Sequence, residues 1–138
     1  AESALWLLPV PFEATTSYRR GTVDGPRAIF AESHQVDLYD RFFGPFWKRG
    51  IHLAEESAEV REWSAAGVAA NARGDVPEVD ALGAKVNRYV GEWAARALAA
   101  GRIPGVVGGD HSVPFALIEA LAQKHPGLGI LHFDAHMD

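Results

Sequence analysis

The chain has 138 residues, 48% of them apolar and 22% charged, with 13 basic and 18 acidic side chains and a formal charge of −5. That balance fits a soluble globular core of ordinary single-domain size, and it lacks the basic face that a nucleic-acid binder needs. With no cysteine anywhere, disulfide frameworks, thiolate metal sites, iron–sulfur clusters and cysteine nucleophiles are excluded, and the cytoplasm is the expected compartment.

The longest apolar stretch, residues 4–12, holds two prolines. It is too short to cross a bilayer and has no basic segment before it, as a signal peptide would. Within it, residues 5–10 (LWLLPV) have the continuous apolar character of a buried strand. Residues 12–26 then read as a long loop, carrying Thr15, Thr16, Ser17 and Gly21 and ending on a Gly25-Pro26 turn signal. A short helix is expected over 27–33, with Pro26 in its first turn. Strands are expected at 36–39 and 51–54. Between them, residues 41–50 (RFFGPFWKRG) read as irregular, and their aromatics as packing groups. The Ala/Glu-rich stretch 55–71 reads as helical. Over 79–100 the apolar residues Val79, Leu82, Val86, Tyr89, Val90, Trp93, Ala97 and Leu98 recur at spacings of three and four, which predicts an amphipathic helix between Pro77 and Gly101.

The end of the chain has the clearest pattern. Residues 103–107 read as a strand and Gly108-Gly109-Asp110-His111-Ser112 as a tight loop. Residues 113–124 read as a helix capped by Ser112, with Pro114 in its first turn and Phe115, Leu117, Ile118 and Leu121 on its apolar side. His125-Pro126-Gly127 stops it. Residues 128–133 (LGILHF) read as a second buried strand, leading into Asp134-Ala135-His136-Met137-Asp138. This order is a βαβ unit with parallel strands and a right-handed crossover, and the expected fold class is α/β.

Parallel strands joined by a helix place their carboxyl ends at one sheet edge, where ligand sites of open α/β folds form. His111 follows the first strand and Asp134 the second, so both side chains reach one pocket. Asp134, His136 and Asp138 alternate, so an extended backbone points all three to one side, while a helical one keeps Asp134 and Asp138 neighbours. Converging aspartates repel, and no Lys or Arg follows Lys124 to offset them. The imidazole–carboxylate set suits Mn, Fe, Co or Zn, its carboxylate richness favours Mn, and bridging carboxylates would allow a two-metal site. Taken singly, each feature has an ordinary reading. A histidine after a strand is usually a hydrogen-bonded surface group, and an aspartate pair at a strand end is often a cap or turn. Gly108-Gly109 without a following Lys is no phosphate loop. His132, inside the expected strand, reads as a core residue or a support for ligands. The joint occurrence of both motifs on one βαβ unit favours the metal.

Gly108-Gly109-Asp110-His111-Ser112 followed by His132-Phe133-Asp134-Ala135-His136-Met137-Asp138 resembles the first two metal signatures of the ureohydrolases, the arginase, agmatinase and formimidoylglutamase group of binuclear manganese hydrolases. Pro9-Val10-Pro11-Phe12, Arg20-Gly21 and Gly25-Pro26-Arg27-Ala28-Ile29 resemble that group's N-terminal pattern. Residues 41–76 carry no signature. The resemblance implies a three-layer αβα fold with a mainly parallel sheet, present here in part, and two Mn²⁺ per intact subunit. It implies that His111 and Asp138 bind the first manganese, Asp134 bridges both and His136 binds the second. Asp138 would also orient the bridging hydroxide as a catalytic residue, and Asp110 would steady His111 from behind.

The implied reaction is hydroxide attack on a guanidinium carbon, giving urea and an amine. His132-Phe133 before Asp134 resembles the agmatinase pattern, so a small guanidino substrate such as agmatine is expected. Formimidoylglutamase and arginase activities stay open, as does a non-catalytic module that binds a metal or partner. The related deacetylases normally have Asp where His132 stands and lack the Gly-Gly-Asp-His-Ser loop. The group's third signature, Ser-x-Asp-x-Asp, is not among these residues, so the chain is expected to be the N-terminal portion of one ureohydrolase domain. The remainder would lie elsewhere, even as a separate chain, and the intact protein is expected to be a homo-oligomer. Neither nucleic acid nor membrane is an expected partner.

Overall fold

The computed structural model describes residues 2–134. The apolar run at the start is strand β1 (Leu5–Val10), paired in parallel with β2 (Ile51–Leu53) on one side and β3 (Ile103–Gly108) on the other, in the order β2-β1-β3. A proline in a central strand normally breaks the ladder. Here Leu5 N–H donates to Gly50 and Leu7 C=O accepts from Ala54 on the β2 side, so the odd residues of β1 face β2. Pro9, also odd, turns its missing N–H toward the side where the short β2 has already ended.

Among the described residues four α-helices follow from local signals: α1 (Gly25–Glu32), α2 (Ala58–Ala72), α3 (Val76–Ala99) and α4 (Phe115–Lys124). Ser57 caps α2 by accepting from Val60 N–H, and Asp75 caps α3 by accepting from Glu78 N–H. The α3 stripe predicted from spacing is the buried one: Leu82, Val86, Val90, Trp93 and Ala97 are buried on the side facing Leu8, Val10, Phe12, Val60 and Leu117 of the core. Each such fully buried Val, Leu or Phe contributes about 1.5–3 kcal/mol. Pro9, on the opposite face of β1, lines a cleft of about 270 Å³ with Pro26 and Phe30 of α1. Helices thus lie on both faces of a parallel sheet. No helix among the described residues is long and apolar enough to cross a membrane.

Four sequence expectations are corrected. Residues 36–39 form no strand: Asp37 accepts from Tyr39 N–H in a local turn, and Val36 and Tyr39 lie exposed. The aromatics of 41–50 do not all pack. Asp40 Oδ1 accepts from both Phe42 and Phe43 N–H, and that turn throws the two rings into solvent at 86% and 83% exposure. Ser112 does not cap α4, because its hydroxyl donates to Asp110, and the helix starts later, at Phe115, which is exposed while Ala116 and Leu117 are buried. Residues 128–133 form no strand and take no place in the sheet, where β3 pairs only with β1 among the described residues. A strand exists only through a neighbour's N–H and C=O groups, and this segment runs exposed, with Leu131 and Phe133 at 80% and 87%.

Glu56, with its side chain 15% exposed, ties α1 to α2 by pairing with Arg27 at 2.8 Å and Arg61 at 2.6 Å. Burial acts to raise its carboxyl pKa, but the hydrogen bonds and charges of Arg61 and Arg27 together outweigh it and hold the group below the ordinary 4.5. A pKa depressed by folding gives stabilisation that is present above the unfolded value and lost as the pH falls through the folded one. Glu56→Gln is therefore expected to cost about 1 kcal/mol at neutral pH. The deficit should shrink as the pH drops below 4.5. Urea midpoints over a pH series measure this, and a deficit undiminished in strong acid would contradict the pairing. A Cβ on Gly67 of α2 would stand 2.6 Å from that of Ala14, so Gly67→Ala is expected to overpack this contact. A loss of about 1–3 kcal/mol should follow, read as a lowered Tm.

Candidate metal centre

Because β1, β2 and β3 are parallel, the segments after Val10, Leu53 and Gly108 emerge at one edge. The loop after β3 can sit against the loop after β1 only because it opens with glycine. A Cβ on Gly109 would overlap the carbonyl oxygens of Phe12 and Val10. Asp110 N–H donates to Phe12 C=O at 2.8 Å and continues that contact.

Asp110 is buried, and its carboxylate is fully engaged. Oδ2 accepts from Thr15 N–H at 2.9 Å and Thr15 Oγ1 at 2.7 Å. Oδ1 accepts from Ser112 N–H at 3.1 Å and Ser112 Oγ at 2.6 Å. A carboxylate offers about four lone-pair sites, and these four donors occupy them. Asp110 thus stands next to His111 in sequence while its carboxylate bonds to the residues on either side of the loop. Glu13 has a similar part nearby: its Oε2 accepts from Gly21 N–H at 2.6 Å, Val23 N–H at 3.2 Å and the Thr22 hydroxyl at 3.4 Å.

His111, carried by this loop, meets the far end of the described chain. Its Nδ1 lies 3.4 Å from Asp134 Oδ2, and His132 Nε2 lies 3.4 Å from the same oxygen. The two imidazole rings are 5.0 Å apart, and one ligand atom from each of the three residues falls within 4.8 Å of the others. Asp134 is the most covered of the three, with its side chain 19% exposed against 59% for His111 and 50% for His132. The cluster offers two imidazole nitrogens and a carboxylate oxygen, a nitrogen–oxygen donor set that fits a divalent cation such as Mn²⁺ or Zn²⁺. An open cleft of about 570 Å³ adjoins it, walled by Phe115, Ile118, Ile130 and Leu131 beside His111 and His132.

His111 and Asp134 are therefore together, and Asp110 lies behind the loop that bears His111. His136 and Asp138 lie outside the described residues. His132 is not a core residue, as one sequence reading had it: the segment that carries it is not in the sheet, and the ring is half exposed beside Asp134. Its two-residue spacing from Asp134 was the available signal, since alternate residues of an extended segment share a side. Thr15 was also missed, because no local pattern points across 95 residues to Asp110. In Asp110→Asn an amide NH₂ must face two of the four donors. The expected loss is about 1.5–3 kcal/mol of stability, measured by chemical denaturation beside the wild type.

A family model described as the arginase family matches residues 3–138. An N(1)-aminopropylagmatine ureohydrolase of Thermus thermophilus is 32% identical over 99% of this chain and 41% of its own length. The agmatinase of Bacillus anthracis is 30% identical, again over 99% of this chain and 41% of its own length. Among solved structures, the agmatine ureohydrolase of Thermoplasma volcanium superposes with a TM-score of 0.61 at 22% identity, covering 86% of this chain and 34% of that one, a likeness of fold. The chain spans about two fifths of the length of these curated relatives.

Proposed function

This chain belongs to the arginase family, and we propose that it is the N-terminal portion of a single ureohydrolase domain. The intact protein, in this reading, is a manganese-dependent amidinohydrolase that converts a guanidino compound of the agmatine type to urea and an amine. The observation that carries the reading is the meeting of His111, His132 and Asp134 at the carboxyl side of a parallel sheet.

In this reading His111, Asp134, His136 and Asp138 would together hold two Mn²⁺ ions. Bound manganese lowers the pKa of water and so supplies a nucleophile near neutral pH. Asp138 would orient the attacking oxygen through a hydrogen bond. His132, facing the same Asp134 oxygen as His111, keeps that carboxylate turned toward the site. The apolar wall of Phe115, Ile118, Ile130 and Leu131 suits the aliphatic chain of a guanidino compound and sheds water from beside the reacting carbon.

The test is urea release by the intact protein from agmatine, N(1)-aminopropylagmatine and arginine, and formamide release from formimidoylglutamate, with added Mn²⁺ and metal content measured in parallel. Two Mn²⁺ per subunit are expected, with agmatine-type substrates preferred. Asp134→Ala should lower kcat/KM at least about 10³-fold, equivalent to ~4 kcal/mol of transition-state stabilisation. A folded protein that takes up no metal and turns over none of these compounds would instead be a binding module.

A further inference from the structure

We propose that Thr15 is a positioning residue for His111, setting through Asp110 where the imidazole stands and hence how tightly the site holds a divalent cation. The inference rests on the reading of His111 as a metal ligand. Thr15 gives two hydrogen bonds to one oxygen of Asp110, and Ser112 gives two to the other. His111 lies between Asp110 and Ser112, so the residues on both sides of it are fastened to one carboxylate. With all four lone-pair sites of Asp110 occupied, none remains to reach the imidazole. Asp110 therefore acts on His111 by fixing the backbone that carries it. The ring is met by Asp134, whose Oδ2 lies 3.4 Å from Nδ1.

The clamp needs a fixed reference, and α2 supplies it. Ser64 Oγ accepts from Glu13 N–H at 3.0 Å, and Asn71 donates to Ala14 C=O at 2.9 Å, so the residues just before Thr15 are held to the helix by two side chains. Ala14 is fully buried. Threonine suits the end of this chain of contacts because its branched Cβ restricts χ1 and keeps the hydroxyl aimed. The order of transmission is α2, Thr15, Asp110, His111. A residue chosen only to fill space would not need both its N–H and its hydroxyl on one oxygen.

The experiment uses the intact protein, with Mn²⁺ affinity read from the paramagnetic resonance of free Mn²⁺, urea release titrated against Mn²⁺, and melting in chelator. Thr15→Val keeps the shape and the N–H but removes the hydroxyl donor. It should weaken Mn²⁺ binding about tenfold or more, with most of the lost turnover recovered at raised Mn²⁺. Thr15→Ser restores the donor and should restore the affinity. A Thr15→Val protein that melts lower but binds Mn²⁺ as tightly as the wild type overturns the proposal, since the threonine would then serve stability alone. If Thr15→Val fails to fold, Ser112→Ala opens the other side of the same clamp, and unchanged Mn²⁺ affinity there overturns the proposal equally. His111→Ala separates the two claims. If it leaves Mn²⁺ binding intact, the ligand assignment fails and the clamp with it; if it reduces binding while Thr15→Val does not, the clamp alone fails.

Discussion

A carboxylate taken out of water is costly unless its lone pairs find donors, and Asp110 meets that condition by drawing two donors from each of two loops. That single requirement brings the end of β1 and the end of β3 into one unit. The strand register makes the meeting possible: Val10 stands opposite Gly108, so the chain leaves both strands at the same level. Gly109 then lets the two backbones close to van der Waals distance. The position of His111, the orientation of Ser112 and the late start of α4 follow from how this carboxylate is satisfied.

Three carboxylates held inside the fold, Glu56, Glu13 and Asp110, meet different kinds of donor. Glu56 sits between α1 and α2 under two arginines, and its charge is neutralised where it serves only to join helices. Glu13 and Asp110 are held instead by neutral donors, backbone N–H groups and hydroxyls. Two carboxylates at the carboxyl edge of the sheet are thus held by neutral donors, one of them in the loop that carries His111.

What the sequence made legible was local. The α3 stripe from Leu82 to Ala97 could be read from its spacing because a helix repeats within a few residues, and β1 from its unbroken apolar run. The meeting of His111 with Asp134 was expected from a second strand that the structure does not have, so only the place of His111 after β3 was legible from strand order. Residues 36–39 and 128–133 have the apolar content of strands but no neighbour to pair with among the described residues, and composition carries no information about a neighbour. Ser112 looked like a helix cap by position, yet Asp110 takes its hydroxyl. Thr15 could not be found at all, since its partner is fixed only once β1 and β3 are side by side.

The segment between Thr15 and Gly21 is fastened at both ends, to Asp110 on one side and to Glu13 on the other. Its ends are therefore held by carboxylates that lie outside the segment between them. The closure entropy of such a loop grows only as the logarithm of its length, about 0.6 kcal/mol for each doubling. Residues 17–19 can then change in number at small thermodynamic cost, while the two anchors keep that variation from reaching the backbone of His111. The molecule separates a rigid seat for its imidazole from a neighbouring stretch whose strain the two anchors absorb.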